Sequence, residues 1–87
     1  MPSRGGAALK RARLFTMEGN ADGEAALAFL QTRGVAVDVR DVGKDPEASQ
    51  ELFTRIGRLH IPTIVLEERV FVGFGAHRDE IEAAVRE

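Results

Sequence analysis

Polar and apolar positions along the chain change period several times, and each change marks an element. Arg13-Leu14-Phe15-Thr16-Met17 is a short run of bulky residues closed by Gly19 and Asn20, which predicts a strand. From about Ala21 to Arg33, Ala26, Leu27, Phe29 and Leu30 recur at helical spacing. Asn20 or Asp22 is available as N-cap for this helix, and Gly34 follows as a residue able to turn left-handed. Val35-Ala36-Val37-Asp38-Val39-Arg40 alternates with period two, so a second strand is expected with its valines on one layer and Asp38 and Arg40 facing out or at an edge. Asp45-Pro46-Glu47 then combines an N-cap, a proline at the first helical position and an acid near the positive end of the helix dipole. Ala48, Leu52, Phe53 and Ile56 form the apolar face of that helix, and Gly57 ends it.

The second half adds Thr63-Ile64-Val65-Leu66 and Val70-Phe71-Val72-Gly73, two strands joined through Glu67, Glu68 and Arg69. So short a connection predicts an antiparallel hairpin, although Glu-Glu lacks the usual turn residues. Ile81, Ala84 and Val85 mark a last helix that starts between Ala76 and Asp79. The order is β-α-β-α-β-β-α, an α/β chain. A right-handed crossover makes the first two strands parallel and the hairpin adds an antiparallel edge, giving a four-stranded mixed sheet with helices on both faces in three layers.

Composition narrows the picture further. Eighty-seven residues with 44% hydrophobic and 30% charged side chains suit one globular domain with a small core. The chain contains no cysteine, which removes disulfide staples, thiolate ligands and thiol nucleophiles together. Gly5 to Leu9 is too short and too weakly apolar for a signal-peptide core, so a cytoplasmic location with no membrane association is expected. Arg4, Lys10, Arg11 and Arg13 give residues 1–13 a charge of +4, leaving 8 − 14 = −6 for the remainder. Residues 1–11 are expected to form a flexible basic tail ahead of a domain spanning 12–87. A few basic residues without interleaved aromatics make a poor nucleic-acid signature, so nucleic acid is not expected as a partner.

The turn Glu18-Gly19-Asn20-Ala21-Asp22-Gly23, between the first strand and the first helix, is where open α/β sheets place ligands. It holds carboxylates and an amide but no thiol, histidine or hydroxyl. Asn20 could contact a ligand, or simply cap the helix. Glu18, Asp22 and Glu24 could serve as paired acids, yet acids at a helix N-terminus are favoured and ionised there. Exposed amides from Gly19 to Gly23 could hold an anion with His60 or Arg58 nearby, against repulsion from those acids. His60 and His77 are far apart and no ligand spacing completes a metal set, so neither metal nor cofactor is expected.

Four segments in register carry a family likeness: Phe15-Thr16-Met17-Glu18-Gly19 before a helix; Asp41-Val42 with Asp45-Pro46-Glu47-Ala48; Ile61-Pro62-Thr63-Ile64; and Val72-Gly73-Phe74. Over residues 13–87 the chain resembles the glutaredoxins, which implies the thioredoxin fold in its minimal form. The resemblance places the family's Cys-x-x-Cys positions on Asn20, Ala21, Asp22 and Gly23. It therefore implies a member without thiol–disulfide oxidoreductase activity and without the cysteine-held iron–sulfur cluster of some relatives, since both need a sulfur ligand or nucleophile. It also implies a cis Ile61-Pro62 bond whose neighbouring backbone offers itself to a peptide or to glutathione. The candidate groove is Asn20, Ala21, His60, Ile61, Pro62, Thr63, Gly73 and Phe74. A binding or accessory role for a peptide or protein partner is the leading expectation, with non-catalytic binding of glutathione or a small anion as the alternative. Gly75-Ala76-His77-Arg78 delays the first acid after Phe74 to Asp79, a departure from the family pattern that weakens the expectation of glutathione contacts.

Overall fold

A computed structural model describes residues 10–87. The order is β1 (Arg11–Thr16), α1 (Ala21–Thr32), β2 (Ala36–Asp41), α2 (Pro46–Ile56), β3 (Thr63–Leu66), β4 (Arg69–Val72) and α3 (Arg78–Arg86), with a single 3-10 turn at Gly75–His77 before α3. The strands form one sheet in the order β2-β1-β3-β4. β1 runs parallel to β2, with Leu14 opposite Val39, and antiparallel to β3, with Leu14 opposite Ile64. β3 and β4 close the predicted hairpin, pairing Leu66 with Arg69. The mixed sheet and the β-α-β-α-β-β-α order are those expected.

Local chemistry accounts for the helix ends. The Asp45 carboxylate accepts from the Glu47 N–H at 3.0 Å, Pro46 opens α2, and Gly57 closes it at φ 75°. A left-handed residue is also required in the Glu67-Glu68 turn, and there Glu67 takes φ 55° without a glycine. β1 fixes it: the Glu67 N–H donates to the Arg11 carbonyl at 3.0 Å and the Glu67 carboxylate accepts from the Arg11 N–H at 3.3 Å.

One face of the sheet carries the larger core, in which Leu14, Ala26, Phe29, Leu30, Ile64, Leu66, Phe71, Phe74, Ile81 and Ala84 are buried between the strands, α1 and α3. The opposite face carries Phe15, Leu52 and Val65, with Val42, Ile56 and Ile61 packed at the margin. Among the described residues only α2 covers this second face, and charge completes it. Glu51 of α2 pairs with Arg13 and lies 3.3 Å from Arg40, while Arg13 also reaches Asp38 at 3.3 Å.

Four expectations are adjusted. β1 begins at Arg11, two residues before the bulky run, because Ala36 N–H donates to the Lys10 carbonyl and extends the parallel ladder backwards. The segment 1–9 of the expected tail lies outside the described residues. β4 starts at Arg69 and ends at Val72, since Gly73 turns away at φ 95°. Val39 is 45% exposed because β2 is a sheet edge. Phe53 is 57% exposed, because Ala48, Leu52 and Ile56 already supply the i, i+4, i+8 stripe facing the sheet. Among the described residues no helix is long and apolar enough to cross a membrane.

Candidate functional site

The C-terminal ends of β1 and β4 and the start of β3 meet at one end of the sheet, which brings together three segments far apart in sequence. Phe15 is opposite Thr63 and Thr63 is opposite Val72, so the residues just beyond, Thr16, Pro62 and Gly73, lie side by side. The Gly73 N–H donates to the Pro62 carbonyl at 2.8 Å. The Ile61-Pro62 peptide is cis.

The α1 side of this end spends its polar side chains on its own hydrogen bonds, while the Ala21 and Asp22 N–H groups have no partner among the described residues. Asn20 is the N-cap, its side-chain oxygen accepting from the Gly23 N–H at 2.6 Å, while its own N–H donates to the Met17 carbonyl at 3.1 Å. Ala21 is exposed beside it and adds no functional group. The Asp22 carboxylate accepts from the Phe74 N–H at 3.4 Å and so links α1 to the end of β4. Phe74 is buried, its ring meeting Phe29 edge-on at 5.3 Å between centroids. Phe74 therefore belongs to the core rather than to an open ligand platform.

Gly23 has no room for a side chain. A Cβ built there would sit 2.0 Å from the Thr16 hydroxyl and 2.9 Å from the Thr16 Cβ. Thr16 is buried and, among the described residues, its hydroxyl has no hydrogen-bond partner. The last side chain of β1 thus occupies the space directly over Gly23.

The proline side is more open. Arg58, Leu59 and His60 are exposed, Leu59 by 57%. The loop is held from below by the Thr63 hydroxyl, which donates to the His60 carbonyl at 2.7 Å. The His60 imidazole is the nearest group to the space over Gly73, with Nε2 at 3.8 Å from a Cβ built there. Ile61 packs its side chain against the smaller core. Its backbone differs: among the described residues, neither the Ile61 N–H nor its C=O makes a backbone hydrogen bond.

All the residues named from sequence, Asn20, Ala21, His60, Ile61, Pro62, Thr63, Gly73 and Phe74, therefore occupy this end of the sheet. Thr63 and Phe74 turn their side chains into structural roles. Two participants were not readable as such. Asp22 had the pattern of a dipole-complementing acid, and its contact with Phe74 spans 52 residues of sequence. Thr16 had the pattern of an ordinary strand residue, and only the glycine at the first inward position of α1 hints that something presses against it. No cluster of three or more His, Cys, Asp or Glu able to hold a metal ion occurs among the described residues. Among the described residues, cavities of about 560 Å³ between Arg11, Asp38, Arg55 and Glu67 and of about 470 Å³ beside Glu47, Glu51 and Arg55 lie away from this end, and one of about 290 Å³ borders it, lined by Thr16, Gly19, Gly23, Leu27, Val39 and Lys44.

Solved structures show the same architecture. The thioredoxin-like protein BC3987 superposes with a TM-score of 0.71 at 24% identity, over 80% of this chain and 96% of its own. The glutaredoxin from Archaeoglobus fulgidus reaches 0.73 at 14% identity, over 100% and 98% of the two chains. A buckwheat glutaredoxin–glutathione complex gives 0.66 at 11% identity, over 87% and 76%. At these identities the likeness is one of fold. No curated protein matches the chain. The glutaredoxin family model matches residues 13–71, most of the described domain. With that match, this fold and four segments in register, the chain belongs to the glutaredoxin family, as a member that carries no cysteine.

Proposed function

We propose that this protein is a non-catalytic binding or accessory module that takes an extended peptide segment of a partner protein along the Ile61–Gly73 side of the groove. Thiol–disulfide exchange begins with attack by a thiolate, and a chain without cysteine has none to offer. The observation that carries the positive part is the free Ile61 backbone. An N–H and a C=O on one residue, unpaired and beside an exposed loop, are what a strand-like peptide needs for a pair of main-chain bonds. Such bonds supply affinity without a reactive group, and His60 and Leu59 are placed to select among side chains.

Glutathione or a small anion fits this end less well. The Phe74 N–H, a donor at the end of β4, is already taken by the Asp22 carboxylate, and Glu18 and Glu24 add negative charge around the start of α1. The Ala21 and Asp22 N–H groups keep no partner among the described residues, but the carboxylates around them disfavour an anion, and neutral main-chain recognition fits this end better.

The test combines selection and mapping. Random-peptide display against the immobilised protein is expected to yield binders whose addition moves the amide resonances of Ile61, Thr63 and Gly73, whereas millimolar reduced glutathione leaves those resonances in place. Binders that shift only residues outside this end of the sheet would contradict the reading, as would turnover of a glutathione-coupled disulfide reporter above a no-protein control.

A further inference from the structure

β2 is an edge of the sheet, six residues long, and carries Asp38 and Arg40 on either side of Val39. The bonds Ala36 N–H to Lys10 and Val42 N–H to Thr16 fix which residues face β1. With period two between them, the even-numbered residues from Ala36 to Val42 spend their main-chain groups on β1. The main chains of Val37, Val39 and Asp41 point away from the sheet. An exposed row of donors and acceptors is a template for another strand. Val39, 45% exposed, stands in the middle of it.

We propose that β2 pairs antiparallel with β2 of a second copy of this chain, about a two-fold axis through Val39, to form one continuous sheet across a reversible homodimer. Three nearby registers set the outward main-chain groups of one copy against those of the other, apart from the Asp41 carbonyl, which already accepts from the Lys44 and Asp45 N–H groups, and charge separates them. Centring on Asp38 sets Asp38 against its own copy, and centring on Arg40 sets Arg40 against its own copy, so both place like charges directly opposite. Centring on Val39 sets Asp38 of each chain opposite Arg40 of the other, twice over. These fall at non-hydrogen-bonded positions, where facing side chains lie closest. Val39 meets its own copy in a reciprocally bonded pair, and the Asp41 N–H faces the Val37 carbonyl across the interface. Arg40 is already held near the required place by Glu51 at 3.3 Å and Asp45 at 3.8 Å, and its side chain is only 21% exposed, so little freedom is lost on pairing.

The charges that keep an isolated edge strand from pairing at random thus become complementary in one symmetric register. An isologous contact of this kind closes at two copies and does not propagate. A strand of this length spans about 20 Å, so the interface is at the small end of specific contacts and the dimer is expected to dissociate on dilution.

Sedimentation equilibrium of the full chain from micromolar to millimolar concentration tests the proposal. The weight-average mass is expected to climb from 9.5 kDa toward twice that value. Asp38→Arg and Arg40→Asp should each weaken self-association about tenfold or more, since each faces like charges across the axis. Mixed one to one, the two variants should associate with each other, because every facing pair is then opposite in sign. A wild-type mass fixed at the monomer value through millimolar concentration would overturn the proposal. So would single variants that dimerise as well as wild type, or a mixture that stays monomeric. Far-UV circular dichroism reports whether each variant is folded. Should Arg40→Asp lose its fold, Val39→Lys at an exposed position carries the test: a monomer where wild type is dimeric is expected, and unchanged self-association would overturn the pairing.

Discussion

The two sides of the candidate groove have diverged in how they use their polar groups. On the α1 side the side chains are engaged internally: Asn20 caps the helix, Asp22 holds the Phe74 N–H, and the Thr16 hydroxyl presses on Gly23, leaving the Ala21 and Asp22 N–H groups without a partner among the described residues. On the proline side the Ile61 N–H and C=O are left without a backbone partner beside an exposed loop. A helix start in this fold is an electrostatically favoured place for reactive or anionic groups. With no reactive side chain there, the Gly23 amide and the space over it serve the stability of the helix start. Main-chain recognition needs no particular side chain, so the proposed function does not depend on a nucleophile. The contrast separates two capacities, attack and recognition, that occupy neighbouring segments.

Substitutions on the α1 side should therefore act on folding. The largest effect is expected for Gly23→Ala, whose methyl would meet the Thr16 hydroxyl at 2.0 Å. Overpacking of this kind costs about 1–3 kcal/mol, partly offset by roughly 1 kcal/mol of helix propensity. Chemical denaturation should show a net loss, and adding Thr16→Ala should recover part of it by removing the closest atom. A Gly23→Ala protein as stable as wild type would show that the side is not closed. Asn20→Ala should cost about 1 kcal/mol through the uncapped Gly23 N–H, read from the same transitions. Asp22→Asn should cost less, roughly 0.5 kcal/mol, since its bond to Phe74 is long and partly solvated, and amide exchange at Phe74 should quicken.

The far end of α1 supplies a control with the smallest effect. Arg33 donates to both oxygens of Glu82, at 3.0 and 3.1 Å, and Arg86 adds to it, so these guanidiniums, Arg33 first, hold the Glu82 carboxyl below the usual carboxylate range. A carboxyl depressed in the folded state contributes stability at neutral pH that is lost as pH falls through its folded value. Glu82→Gln should therefore flatten the acid limb of the stability curve slightly while leaving the groove's amide shifts unchanged.

Much of the fold could be read from local chemistry because its signals are local. Asp45-Pro46 and Gly57 bracket α2, Asn20 and Gly34 bracket α1, and the valine alternation marks β2. The same locality explains the misreadings. Whether Val39 is buried depends on which strand ends the sheet, and whether Phe53 is buried depends on where α2 sits over it, neither of which appears in a window of neighbours. The membership of the candidate site was legible, since a family likeness aligns Asn20, Pro62 and Gly73, of which Pro62 and Gly73 are hydrogen-bonded neighbours at the end of the sheet where α1 begins. Its internal closure was not legible. The contacts that close it, Asp22 with Phe74 and Thr16 with Gly23, join residues whose separate patterns have ordinary explanations.

Hydrogen exchange at individual amides tests the central contrast most directly. In the free protein the Ile61 amide should exchange at close to the unprotected rate, while the amides of Gly23, Gly73 and Phe74, each donating within the chain, should be slowed. An Ile61 amide protected as strongly as that of Gly73 would contradict the account, because the proline side would then be closed as well.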